Sequence, residues 1–148
     1  MKVIIGSDHA GYAAKQALIA SLKKMGHSVT DAGTDSADSV DYPDFAAQVG
    51  RAIAESEAER GVLICGTGIG MAMAANKIAG VRAAVVTDAF TAEMSRRHND
   101  ANVLAMGART HTIEKMQELA KIFLETPFEG GRHAGRVEKI RKLEGRTD

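Results

Sequence analysis

The chain has 148 residues, enough for one domain that buries roughly 68–70% of its unfolded surface without a staple. Nineteen basic and nineteen acidic side chains cancel, which argues against a general nucleic-acid binder. Its apolar runs fall far short of the ~20 residues that span a bilayer. No charged-then-apolar leader precedes Gly6, and a lone cysteine excludes an internal disulfide framework, so a cytoplasmic protein is expected.

A β-branched run at 2–5 leads into Gly6-Ser7-Asp8. Ala14, Leu18, Leu22 and Met25 then share one helix face, and Gly26 stands where that helix should stop. A second strand candidate at 28–31 opens an acidic stretch, residues 31–44, with five aspartates and no basic residue. Their spacing fits no EF-hand and lacks its closing Glu. A turn with helix-capping acids is the reading for all but Asp41, and Pro43 suits the first turn of the second helix. Strand candidates at 62–65, 82–87 and 102–106 follow, with helical stretches between them. Gly80 is a helix stop, and the helix from about Ala89 finishes at His98 and Asn99, with Asn99 a candidate left-handed end residue. Ile113, Met116, Leu119, Ala120 and Phe123 mark a fifth helix, and one more lies C-terminal to it. Alternating strands and helices predict βαβ crossovers. The expected fold is a single doubly wound, Rossmann-like α/β domain: a five-stranded parallel sheet, helices on both faces and an extra C-terminal helix.

Val62-Leu63-Ile64-Cys65 runs directly into Gly66-Thr67-Gly68-Ile69-Gly70, and Met71 to Lys77 reads as a helix. Strand, glycine-rich turn and helix N-terminus together present backbone N–H groups to an anion, at the sheet edge where open α/β proteins bind ligands. The glycines, with Asp88 after the next strand, partly mimic a dinucleotide fingerprint. The match is poor, because Met71 occupies the third glycine's place. Cys65 is either inert packing or, beside that N-terminus, a thiolate able to act as nucleophile or base.

Six ordered segments carry a family resemblance: Gly6-Ser7-Asp8-His9-Ala10-Gly11, Asp41-Tyr42-Pro43, Cys65 to Gly70, Ala74-Ala75-Asn76-Lys77, Arg97 to Asn102, and Gly130-Gly131-Arg132-His133. Together they resemble the type B ribose-5-phosphate isomerases, whose relatives act on allose 6-phosphate and, as a two-chain enzyme, galactose 6-phosphate. The resemblance implies an aldose–ketose isomerase that works through an enediolate without metal or cofactor. It implies Cys65 as the base that moves the proton between C2 and C1. Some relatives place a glutamate where this chain has Met71, which cannot serve. Thr67 and the amides of Gly66, Gly68, Ile69 and Gly70 would hold the developing oxyanion, and His98 would open the sugar ring.

The same resemblance makes Asn99, Asp8 and Tyr42 sugar ligands. Arg132 and Arg136, four apart on one helix face, grip the phosphate with His9 and Arg109. His27, His111 and His133 receive no role, since nothing in the sequence pairs them into a ligand set. The implied partner is a small sugar phosphate, with no nucleic acid or membrane. Topology adds a further expectation. Cys65 ends a strand at the carboxyl edge, whereas His98 precedes a strand at the amino edge, so one sugar needs both from different chains. A homodimer with shared sites is expected, with pairing into a tetramer left open. Two alternatives stand beside this reading: an allose-6-phosphate isomerase, and a nucleotide- or phosphate-binding module without catalysis.

Overall fold

The structure, a computed structural model, describes residues 1–145. Five strands, β1 (Lys2–Ser7), β2 (Ser28–Asp31), β3 (Arg60–Cys65), β4 (Ala83–Val85) and β5 (Val103–Gly107), form one sheet in the order β2-β1-β3-β5-β4. All four pairings are parallel. Helices α1 (Tyr12–Lys24), α2 (Tyr42–Ala54), α3 (Ile69–Ala75), α4 (Ala89–Arg97) and α5 (Ile113–Glu125) connect the strands, and α6 (Arg132–Leu143) follows. The doubly wound architecture is as expected. The strand order departs from simple succession twice: β1 lies between β2 and β3, and β5 lies between β3 and β4.

Each face of the sheet carries its own core. Ile5, Val62, Ile64, Leu104 and Met106 pack with Leu18, Leu22, Leu119 and Phe123 on the α1 and α5 side. Leu63, Cys65, Val103 and Ala105 pack with Val49, Ile53, Met71 and Ala75 on the α2 and α3 side. Strands β3 and β5 are thus buried on both faces, which is why they read as continuous apolar runs. Lys15 is fully buried and its ammonium is neutralised by Asp31 at the end of β2.

Several boundaries differ from expectation for identifiable reasons. Strand β4 shrinks to three residues because it is an edge strand. Beyond it, the Asp88 carboxylate accepts from Thr91 N–H at 2.7 Å in a capping box that starts α4. Helix α3 starts at Ile69 rather than Met71, since Gly68 (φ +81°) already turns the chain. Helix α4 ends at Arg97, with His98 as its C-cap. The left-handed residue there is Asp100 (φ 46°), not Asn99. Asp100 is selected by charge: its carboxylate binds Arg96 at 2.8 Å and Arg82 at 3.2 Å. Pro43 does lie in the first turn of α2, yet Asp41 caps that helix without a side-chain bond. The acidic stretch is not generally a capping device either. Asp31 accepts from Lys15 and from Gly33 N–H at 2.9 Å, closing a turn.

Candidate active site

The turn after β3 is shaped by close backbone approach. A Cβ on Gly68 would stand 2.9 Å from the Met106 backbone, and one on Gly70 would stand 2.6 Å from the Tyr42 ring. With both kept bare, the turn folds over β5 and Gly68 N–H donates to Cys65 Sγ at 3.1 Å. The sulfur is thus held against a backbone donor of the turn. Cys65 is 5% exposed and sits at the base of a cleft of about 440 Å³. Asp8, Tyr42, Gly66, Thr67, Ile69, Gly70 and Arg109 line this cleft with it, as does Met73.

Each wall has a local cause. Asp8 Oδ1 accepts from Gly11 N–H at 3.1 Å, fixing the turn between β1 and α1. Asp8 lines the cleft but does not cap α1, whose N-cap is Gly11 without a side-chain bond. His9 Nδ1 accepts from Val40 N–H at 3.2 Å, tying the acidic loop to the α1 entrance. Arg109 donates its N–H to the Gly66 carbonyl at 3.0 Å, and its side chain lies across Gly66. Thr67 Oγ1 accepts from Ile69 N–H at 3.3 Å, leaving its own hydrogen to donate outward. Met71 is fully buried among core side chains.

A second group gathers elsewhere. His98 caps α4, and its ring stacks on His133 of α6 with centroids 4.2 Å apart and planes 10° from parallel. Glu129 Oε1 faces His133 Nε2 at 4.0 Å. His133 is therefore not the unpaired residue expected from the sequence: the fold joins it to His98 and Glu129, whose ligand atoms lie within 4.8 Å of one another. Burial, then the neighbouring His98 and Arg132, hold the His133 pKa below the ordinary imidazole value. Arg136 adds to the same field from the next turn of α6. Asn99 lines a separate groove with Asn76, Arg82 and the exposed apolar Ile140 and Leu143.

The predicted residues thus divide into two sets. Cys65, Thr67, Asp8, Tyr42 and Arg109 share one cleft, while His98, Arg132 and Arg136 surround His133. The register explains the division. Cys65 pairs with Gly107, at the carboxyl end of β5, while His98 precedes Val103, which pairs with Gly61. Four residues of strand separate those levels, about 13 Å. Other motif residues are structural. Asn76 exchanges bonds with both backbone groups of Ala83, at 2.7 and 2.9 Å, and Asn102 binds Arg82 N–H and the Gly80 carbonyl, each at 2.8 Å. Glu129 and Met73 were not predicted. The spacing of Glu129 and His133 by four residues hints at a pair, but no helix spans both.

A parallel α/β domain with a cysteine under a glycine-rich turn, in a cleft shared with Arg109, Asp8 and the hydroxyl groups of Thr67 and Tyr42, is an enzyme of the aldose–ketose isomerase class. The chain belongs to the ribose/galactose isomerase family, whose model matches residues 3–140. It is 45% identical to ribose-5-phosphate isomerase B of Escherichia coli over 147 residues, 99% of each chain. It is equally 45% identical to a putative sugar phosphate isomerase of Bacillus subtilis, over 97% of both. The solved ribose-5-phosphate isomerase B of Clostridium thermocellum superposes with a TM-score of 0.96 at 49% identity, covering 97% of each chain.

Proposed function

We propose that the protein interconverts ribose 5-phosphate and ribulose 5-phosphate, a step of the pentose phosphate pathway, with Cys65 as the base. The sulfur removes the proton from C2 of the open aldose and delivers it to C1, while a proton passes between the two oxygens. The enediolate formed between these steps carries negative charge on oxygen. Thr67 and the amides of Gly66, Gly68, Ile69 and Gly70 meet that charge. One such donor is worth about 2.7–4 kcal/mol of barrier. His98 opens the furanose by moving a proton between the anomeric hydroxyl and the ring oxygen. Asp8, Tyr42 and Asn99 hold sugar hydroxyls, and His9, Arg109, Arg132 and Arg136 bind the phosphate. The observation that carries this reading is the Gly68 N–H on Cys65 Sγ at the floor of the cleft. The test is incubation with ribose 5-phosphate and with allose 6-phosphate, each with EDTA, following ketose formation. Faster turnover of the pentose supports the assignment, and turnover of neither sugar defeats it.

The active unit in this reading is a homodimer in which His98 of one protomer serves Cys65 of its partner. The separation of the two sets by one strand length supports it, since no histidine side chain covers that gap. A rim of exposed apolar residues beside the cleft, Tyr42, Ile69 and Met73, supports it as well. Two-fold symmetry would give two equivalent sites. No described helix is long and apolar enough to cross a membrane. A free thiol as base suits a reducing compartment, so a cytoplasmic location is part of the proposal.

A further inference from the structure

His98, Glu129 and His133 are assembled more fully than ring opening by His98 requires. His133 is 4% exposed, and its Nε2 has no hydrogen-bond partner among the described residues. A buried polar nitrogen is rarely left bare, and this one faces Glu129 Oε1 at 4.0 Å. Glu129 is held in place for that meeting. Its N–H donates to the Arg97 carbonyl at 3.1 Å, and Arg97 Nε binds Oε2 at 3.3 Å, leaving Oε1 turned toward the histidine. Orientation of a carboxylate through its far oxygen is a regular feature of metal ligands. His98, stacked on the face of the His133 ring, completes the set, with the three ligand atoms within 4.8 Å of one another.

We propose that His98, Glu129 and His133 bind a zinc-type divalent transition-metal ion, and that occupation withdraws His98 from ring opening. Two imidazoles and one carboxylate, with a fourth position open, match the donor preference of Zn2+. Bonds of about 2.0–2.1 Å place tetrahedral ligands about 3.3 Å apart, so the set must contract from its present spread. The movement falls on half-buried His98, which swings off the stack, and on exposed Glu129, while buried His133 keeps its place. Arg97, Arg132 and Arg136 oppose any cation here. Ions that bind nitrogen strongly overcome that field, whereas Mg2+ and Ca2+, which require oxygen ligands, do not. The inhibitory half of the proposal rests on the role given to His98 above; the binding half does not.

The test uses the full chain, stripped with EDTA and dialysed, then titrated with Co2+ and Zn2+. One Co2+ per chain should give visible ligand-field bands without a thiolate-to-cobalt charge-transfer band, and Zn2+ should displace it. Glu129→Gln and His133→Gln should each weaken Zn2+ binding about tenfold or more in equilibrium dialysis, with unchanged circular dichroism for the exposed Glu129 variant. Cys65→Ser should bind Zn2+ as the parent does. Zn2+ should slow ribose 5-phosphate turnover, EDTA should restore it, and Mg2+ should leave it unchanged. Binding that survives both triad substitutions, or that is lost in Cys65→Ser, overturns the site. Tight binding at the triad with undiminished turnover overturns the inhibition and the ring-opening role of His98, but not the site.

Discussion

Replacing Gly68 with alanine separates the two demands that the turn after β3 places on its backbone. Gly68 has φ +81°, and its missing Cβ would lie 2.9 Å from backbone atoms of Met106 in the interior strand β5. A left-handed L-residue costs about 1–2 kcal/mol, and forcing atoms into a filled site adds about 1–3 kcal/mol. If the turn stays in place, Gly68→Ala therefore loses about 2–5 kcal/mol of stability. If the turn instead lifts off β5, the strain falls, but the N–H on Cys65 Sγ leaves its position and kcat drops. Gly80 supplies the control. Its φ is +86°, and a Cβ there meets Ala54 only at ordinary contact distance, 3.9 Å. Gly80→Ala should lose only the conformational part, about 1–2 kcal/mol, with kcat/KM unchanged. Urea unfolding and a coupled isomerase assay on both variants measure these quantities. A Gly68→Ala protein as stable as Gly80→Ala, with kcat within twofold of the parent, would refute the close-approach argument.

Cys65→Ala should lose ~10²–10⁴ in rate; His98→Ala should lose activity on the cyclic sugar, and mixing the two under subunit exchange should restore one intact site per heterodimer. Verified exchange without recovered activity would exclude the shared site. Arg136→Ala should raise KM far more than it lowers kcat, as expected when an interaction serves ground and transition states alike; steady-state kinetics on ribose 5-phosphate decides, and an unchanged KM counts against the phosphate role. The fourth prediction is a pH dependence of stability. Burial raises the Asp31 pKa, but hydrogen bonds from Lys15 and Gly33 outweigh it and bring it below its ordinary value of 3.8. Because the folded value is the lower one, the Asp31 contribution is complete above 3.8 and is lost as pH falls through the folded value. Urea titrations from pH 6 downward should show a steeper loss for the parent than for Asp31→Asn; parallel curves would dismiss the ion pair as a source of acid sensitivity.

The alternation of apolar runs and helical spacing suffices to read the class of fold, because each element carries its own periodicity. Strand order is a different matter. Sequence position gives no reason for β5 to sit beside β3. The Cys65 side of the site is legible for the same local reason as the strands: five of its lining residues lie within the single stretch Cys65 to Gly70. The His133 cluster is not, since Glu129 reaches it through an irregular connection pinned to Arg97 by one backbone bond. Propensity also misassigns the end of α4. Asn99 is the better left-handed residue in isolation, yet Asp100 takes that conformation because two arginines reward its carboxylate there. Asn76 and Asn102 belong to the motif segments without a role that the sequence reveals, and each satisfies backbone groups next to β4.

The place of β5 between β3 and β4 governs the order in which the molecule can be made. Strand β4 pairs only with β5, so a chain emerging from the ribosome as far as residue 100 holds a strand with nothing to join. The Cys65 cleft is equally incomplete at that stage, because Ala108 and Arg109 anchor its turn through the Cys65 and Gly66 carbonyls. Nearly three quarters of the chain must therefore exist before either half of the sheet edge or the cysteine turn can take its final form. Thiol labelling of stalled nascent chains should find Cys65 reactive until β5 has been released, and protected soon after.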